Sequence, residues 1–188
     1  MDRRTFLQIS ALAAAGLRIQ GGFAMQTPSQ GATASATIIL PEEGHVYSQM
    51  GSWEARLLMT GDKSEGAWWM GHFREDPGFM TLLHYHPKKD EQFYVLDGVL
   101  SFYFDGVWHE LGPGTLVVVP HGKAHAQGNR SGKPVYFLGS GAPAGVENLL
   151  PAVDALLKRL KPGTSEFATE FQKIEASCDM VSLGPAPS

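Results

Sequence analysis

An all-β barrel or sandwich with a helical tail is the fold class this sequence predicts, and three observations point to it. Between residues 54 and 140 the apolar residues come in short runs, four to eight residues long, broken by glycine and proline. Two Asp-Gly pairs, Asp97-Gly98 and Asp105-Gly106, stand between such runs, and both tolerate the positive φ of a two-residue turn. Beyond residue 145 the period changes. Val146, Leu149, Leu150, Val153, Leu156, Leu157 and Leu160 recur at steps of three and four, the apolar stripe of a helix. No segment repeats, so a single domain is expected, with the barrel over about 50–141 and the helical tail over 145–188.

Strands are expected at 54–60, 67–74, 80–85, 92–96, 99–104, 107–111, 116–119, 124–128 and 135–140. In 67–74, Trp68 and Trp69 face opposite ways, so only one points inward, as core rather than ligand contact; His72 shares that strand. Lys88, Lys89 and Asp90 form a charged turn, and His121 is expected in solvent at the barrel mouth. His45 and His109 carry no argument. In the tail, Pro151 sits in the first turn of a helix that Pro162-Gly163 stops. Thr164 then caps a second helix burying Phe167, Phe171 and Ile174. Both apolar stripes are expected to pack on the barrel or on a sister subunit.

The chemistry lies in two histidine-bearing motifs. The first runs from Gly78 through His84, His86 and Glu91 to Gly98. The second runs from Gly114 through Pro120, Gly122 and His125 to Asn129. His84 and His86 are two apart, so on a strand they project to one face. Glu91 opens the next apolar run after the Pro87-Lys88-Lys89-Asp90 turn, and His125 arrives from a separate strand. Three imidazoles and a carboxylate can hold a divalent first-row metal while leaving positions open. With His84 and His86 inward, Met80 and Leu82 point inward too; with Glu91 inward, so do Phe93 and Val95. The expected lining is apolar and aromatic, which suits a flat phenolic molecule.

These motifs resemble those of the cupin superfamily, with no departure at any of the ten fixed positions. The segments 90–98 and 112–120, and the stretch 142–148 after the barrel, look like the small single-cupin proteins similar to bacterial quercetin dioxygenases. The resemblance covers the chain from about Thr37 onward. It implies a jelly-roll cupin barrel and one divalent metal per subunit held by His84, His86, Glu91 and His125. Fe(II) or Mn(II) is favoured, with Ni, Co, Zn and Cu as further candidates. Glu91 doubles as the candidate catalytic base, a role its ligation would weaken.

The segment 1–36 reads as an export signal. Asp2-Arg3-Arg4-Thr5-Phe6-Leu7-Gln8 resembles a twin-arginine leader, and the mildly apolar stretch 9–17 is too short to span a bilayer. Small-residue patterns near Ala34-Ser35-Ala36 offer cleavage points, leaving 37–188 as the mature domain in the periplasm without stable membrane insertion. This route moves folded proteins, so a metal chosen by availability could be loaded before export.

Composition narrows the partners. A net charge of −4 and no basic stripe argue against nucleic acid. Cys178 is the only cysteine, which removes an intramolecular disulfide and a thiolate site. The expected function is a metal-dependent dioxygenase acting on a small aromatic or flavonol-like substrate. The alternatives are a metal-dependent isomerase, epimerase or lyase on a sugar or enol acid, which needs an inward lysine or arginine, and a non-catalytic metal- or ligand-binding protein. A homodimer is expected, because open sheet edges and an amphipathic tail need covering.

Overall fold

Alternating side chains settle the strands into two packed layers. The computed structural model describes residues 36–48 and 52–188, and Ile38–Ser188 forms one unit. The segment read as an export signal lies outside the described residues, apart from Ala36. The strands are β1 (His45–Tyr47), β2 (Trp53–Met59), β3 (Trp69–Glu75), β4 (Leu82–Tyr85), β5 (Asp90–Asp97) and β6 (Leu100–Phe104). They continue with β7 (Val107–Leu111), β8 (Leu116–Val119), β9 (Ala126–Gly128), β10 (Val135–Ala142) and β11 (Val181–Pro185). Helices α1 (Leu149–Leu157) and α2 (Ser165–Ser177) separate β10 from β11.

One layer is a six-stranded antiparallel sheet in the order β1-β2-β3-β10-β5-β8. The other joins the sheet β7-β6-β9 to the pair β4-β11 through two isolated bridges, His84 with His125 and Met80 with Gly128. The hydrogen-bonded sheets therefore do not close into the continuous barrel the sequence suggested. Between the layers lies the core: Phe93, Val95 and Phe137 from the larger sheet against Leu100 and Phe102 from the smaller. Val95, expected beside the metal, is fully buried here instead.

The two Asp-Gly pairs do different work. Asp105 and Gly106 take φ of 52° and 82° between the paired residues Phe104 and Val107, a two-residue hairpin. Asp97-Gly98 instead carries the chain from β5 in one sheet to β6 in the other. A Cβ on Gly98 (φ 80°) would lie 2.5 Å from the Pro134 carbonyl oxygen, so only glycine fits this corner.

The tail forms as its caps dictate. Pro151 occupies the first turn of α1, where its missing N–H costs no hydrogen bond. Thr164 accepts the Phe167 N–H and so caps α2, and Gly163 (φ 87°) breaks the chain before it. The chain then returns through Asp179 (φ 60°) to lay β11 along β4. Neither β1 nor β11 was foreseen in the sequence.

Candidate metal centre

Strand register brings the four sequence-predicted ligands together. His84 and His125 are cross-strand partners that exchange both backbone hydrogen bonds, at 3.0 and 2.8 Å. His86 follows two residues after His84 on the same face, and its carbonyl accepts the Gly122 N–H at 2.7 Å. Glu91 lies on β5, between Val119 of β8 and Gly141 of β10. One ligand atom from each residue lies within 4.8 Å of the other three, and all four side chains are buried.

Each imidazole is aimed by its far nitrogen. Nδ1 of His84 donates to the Leu82 carbonyl at 2.8 Å, that of His125 to the Lys123 carbonyl at 3.1 Å, and that of His86 to the Asp179 carbonyl at 2.9 Å. A carbonyl can only accept, so each Nδ1 carries the proton and a neutral ring turns its Nε2 lone pair to the centre. His125, 0% exposed, also stacks flat on Phe102 with ring centroids 5.7 Å apart. Such outer hydrogen bonds fix ring orientation and ligand basicity at metal sites.

Glu91 Oε2 lies 3.0 Å from His86 Nε2 and 3.2 Å from His125 Nε2. All three atoms are buried and none has a hydrogen bond of good geometry. Lone pairs facing a carboxylate oxygen repel, and a cation among them turns that repulsion into ligation. Without a cation the charges settle differently, with His84 kept neutral while His86 and Glu91 favour their charged forms. Burial and the neighbouring His125 push His84 down to about 4. Burial would lower His86, but the Glu91 carboxylate outweighs it and raises that ring. Burial would raise Glu91, yet His125 and His86 hold it well below the usual carboxylate range. A metal takes the place of the proton on His86 Nε2, and the donor set of three ring nitrogens and one anionic oxygen fits a divalent ion.

His84, His86 and Glu91 border a cavity of about 420 Å³. Its wall is mainly aromatic and aliphatic, including Trp53, Trp69, Phe79, Met80 and Phe93. Trp69, 3% exposed, faces inward, while Trp68, 41% exposed, faces out. Among the described residues no lysine or arginine lines the cavity. The tail corrects an expectation: its stripes do not merely pack on the sheets. Leu149, Leu150, Val153 and Leu157 of α1, with Phe167 and Phe171 of α2, form part of the wall.

The other histidines lie elsewhere. His72 projects to the opposite face of β3 from Trp69 and Phe73, 6.1 Å from the Tyr136 ring, and His121 is exposed and paired with Asp90 at 2.8 Å. Lys88 N–H bonds the Asp179 carboxylate at 2.8 Å, so the charged turn is tied to the tail. Sequence reasoning missed Asp179, whose backbone carbonyl leaves no mark in the sequence. It also missed Glu75, a buried carboxylate on the cavity wall. Strand parity could have found it, because Glu75 shares the inward face of Trp69 and Phe73.

Residues 71–140 match the cupin domain family model, Cupin_2. No curated protein matches the chain. Among solved structures, it is similar to a sugar phosphate isomerase of the cupin superfamily from Silicibacter pomeroyi (24% identity; 58% of this chain and 77% of that one; TM-score 0.50). It is also similar to a polyketide cyclase from Streptomyces resistomycificus (19% identity; 57% and 80%; TM-score 0.51). A predicted oxalate decarboxylase from Thermotoga maritima is a third (19% identity; 57% and 99%; TM-score 0.50). At these identities the likeness is one of fold. Residues 71–140 thus match a cupin domain, and the chain places there a buried group of three histidines and one glutamate able to hold a metal ion.

Proposed function

We propose that this protein is a metal-dependent dioxygenase acting on a small, flat, oxygenated aromatic compound of flavonol-like character. The observation that carries it is the meeting of the His84–His86–Glu91–His125 group with an apolar, aromatic cavity of about 420 Å³. When bound, a divalent ion such as Fe(II) or Mn(II) supplies Lewis acidity and a template for the reacting oxygens. The chain's own residues do the rest. The wall of Trp69, Phe79, Phe93 and Phe171 sandwiches a planar ring and excludes water. The lack of a cationic side chain among the described wall residues disfavours a sugar phosphate, whose charge would be left unpaired.

Glu91 is proposed as a ligand first. Its carboxylate accepts a substrate proton only when its hold on the centre loosens, because ligation keeps it a weak base otherwise. Oxygen uptake by the iron- or manganese-loaded protein across a panel of phenols and flavonols tests the reading. Uptake with at least one planar phenol is expected, and Glu91→Gln should lose roughly a hundredfold in rate, more than it loses in metal. Equal losses leave Glu91 a ligand only. Turnover that persists without oxygen points to isomerase or lyase chemistry, and neither uptake nor turnover leaves a binding protein.

We also propose export in the folded state by the twin-arginine route, supported by Arg3-Arg4 ahead of Phe6-Leu7. Replacing both arginines by lysine should trap the precursor in the cytoplasm; an unchanged periplasmic yield removes the assignment.

A further inference from the structure

A second polar centre faces the same cavity. Glu75 ends β3 on its inward face and is 2% exposed, and its Oε2 has no hydrogen-bond partner. Directly across the sheet sits Trp53, whose Nε1 is likewise buried and unpartnered, with its ring on the cavity wall. Buried polar atoms are nearly always satisfied, so two cross-strand neighbours on one cavity wall, each with an unpaired buried polar atom, point to a ligand. Glu147, also buried at the cavity wall, shows the contrast. Its two oxygens accept the Gly61 and Gly145 N–H groups at 2.8 and 2.6 Å, so it is a structural tie.

Burial pushes the Glu75 acid up to about 8, and the neighbouring Gln127 only partly opposes this. At neutral pH the group is therefore a neutral acid with an O–H to donate. Gln127 links this side of the cavity to the metal centre in sequence. It lies on β9 two residues after His125, the bridge residue just before that strand, so in extended backbone both point to one face with their Cα atoms roughly 7 Å apart.

We propose that Glu75 and Trp53 form a second anchoring point, which donates hydrogen bonds to an uncharged oxygen of a substrate whose other end sits at the His/Glu centre. This rests on the aromatic-substrate reading above and narrows it. The ligand carries two oxygenated ends on a flat apolar body, and its far end is a hydroxyl or keto group rather than a carboxylate or phosphate. An anion there would face a carboxyl group in a low-dielectric pocket. An unoxygenated far end would leave both donors unsatisfied, a cost that separates ligands by roughly tenfold per lost hydrogen bond.

Binding of two flavonols to the metal-loaded, full-length protein tests this. Quercetin carries hydroxyls on its far rings, and 3-hydroxyflavone has the same metal-facing oxygens without them. Titration of each compound, followed by its absorbance shift, gives the two Kd values. Wild type should prefer quercetin by about tenfold or more. Glu75→Leu should cut the preference at least severalfold, because it removes one donor to quercetin and relieves the unsatisfied acid that penalises 3-hydroxyflavone, while metal content stays within about twofold. Glu75→Gln, which keeps an N–H donor, should retain part of it. Trp53→Phe should reduce it as well, and that variant decides the matter if Glu75→Leu does not fold. If both flavonols bind and the preference is absent in wild type or unchanged in the variants, the anchoring role is overturned alone. If neither flavonol binds metal-loaded wild type, the aromatic-substrate reading falls and the anchoring role falls with it.

Discussion

Glu75 ties a single side chain to the pH dependence of folding. Its folded value of about 8 lies above the ordinary 4.5 because burial disfavours its charge. Between those values the unfolded chain releases the proton while the folded chain keeps it. The group's contribution to stability is therefore full below about pH 4.5, falls as pH rises toward 8, and is lost beyond. Glu75→Gln removes that slope. Thermal melts should place variant and wild type close together near about pH 5 and the variant several degrees higher above about pH 8. A difference constant across that range would show that Glu75 is not a buried neutral acid. The same residue marks the limit of reading the site from sequence. His84, His86, Glu91 and His125 announce themselves by spacing, because two-residue periodicity and turn chemistry are local. Strand parity aims Glu75 inward with Trp69 and Phe73, but its lack of a partner, like the part played by the Asp179 carbonyl, depends on what the rest of the chain brings against it.

At the scale of elements, β11 and the turn before it hold the centre from behind. The Asp179 carbonyl accepts the His86 Nδ1 proton at 2.9 Å, its carboxylate accepts the Lys88 N–H at 2.8 Å, and β11 pairs along β4, which carries His84. Ending the chain at Cys178 removes all three supports. Isothermal titration with Mn(II) should then show affinity lower by roughly ten- to a hundredfold. Circular dichroism should still report the β-sheet signal, since the main core is built from β5, β6, β8 and β10. Unchanged affinity would mean that His86 needs no such support. These elements also show what the sequence made legible. The strands 107–111 and 116–119 fall where alternation and turns put them. β1 has three residues, too few for a pattern, and β11 alternates but follows a helix with no turn signal of its own. Asp97-Gly98 satisfies a hairpin and a corner between sheets equally well, so turn chemistry alone could not say which. The apolar stripes of α1 and α2 were plain, but a stripe does not name its neighbour, and here part of that neighbour is the cavity.

For the whole molecule, the larger sheet ends at β8, an open edge with Leu116 and Val118 more than half exposed. Tyr94 and Leu96 of the adjoining β5 are exposed too. An apolar edge of this kind invites pairing, and a closed two-fold dimer is the commonest way to cover one. We propose a homodimer through this edge. Sedimentation velocity at micromolar protein should show a dimer that Val118→Lys converts to monomer; monomer alone in wild type would contradict it. The proposed function rests on the buried ligand group, and metal content tests that most directly. Elemental analysis of the purified protein after loading with Fe(II) or Mn(II) should give about one ion per chain. In His86→Ala, which removes one of the three nitrogens, occupancy should fall to a small fraction of that while the far-ultraviolet circular dichroism stays that of the folded protein. A folded wild type that holds no metal, or a His86→Ala variant that holds as much as wild type, would contradict the account.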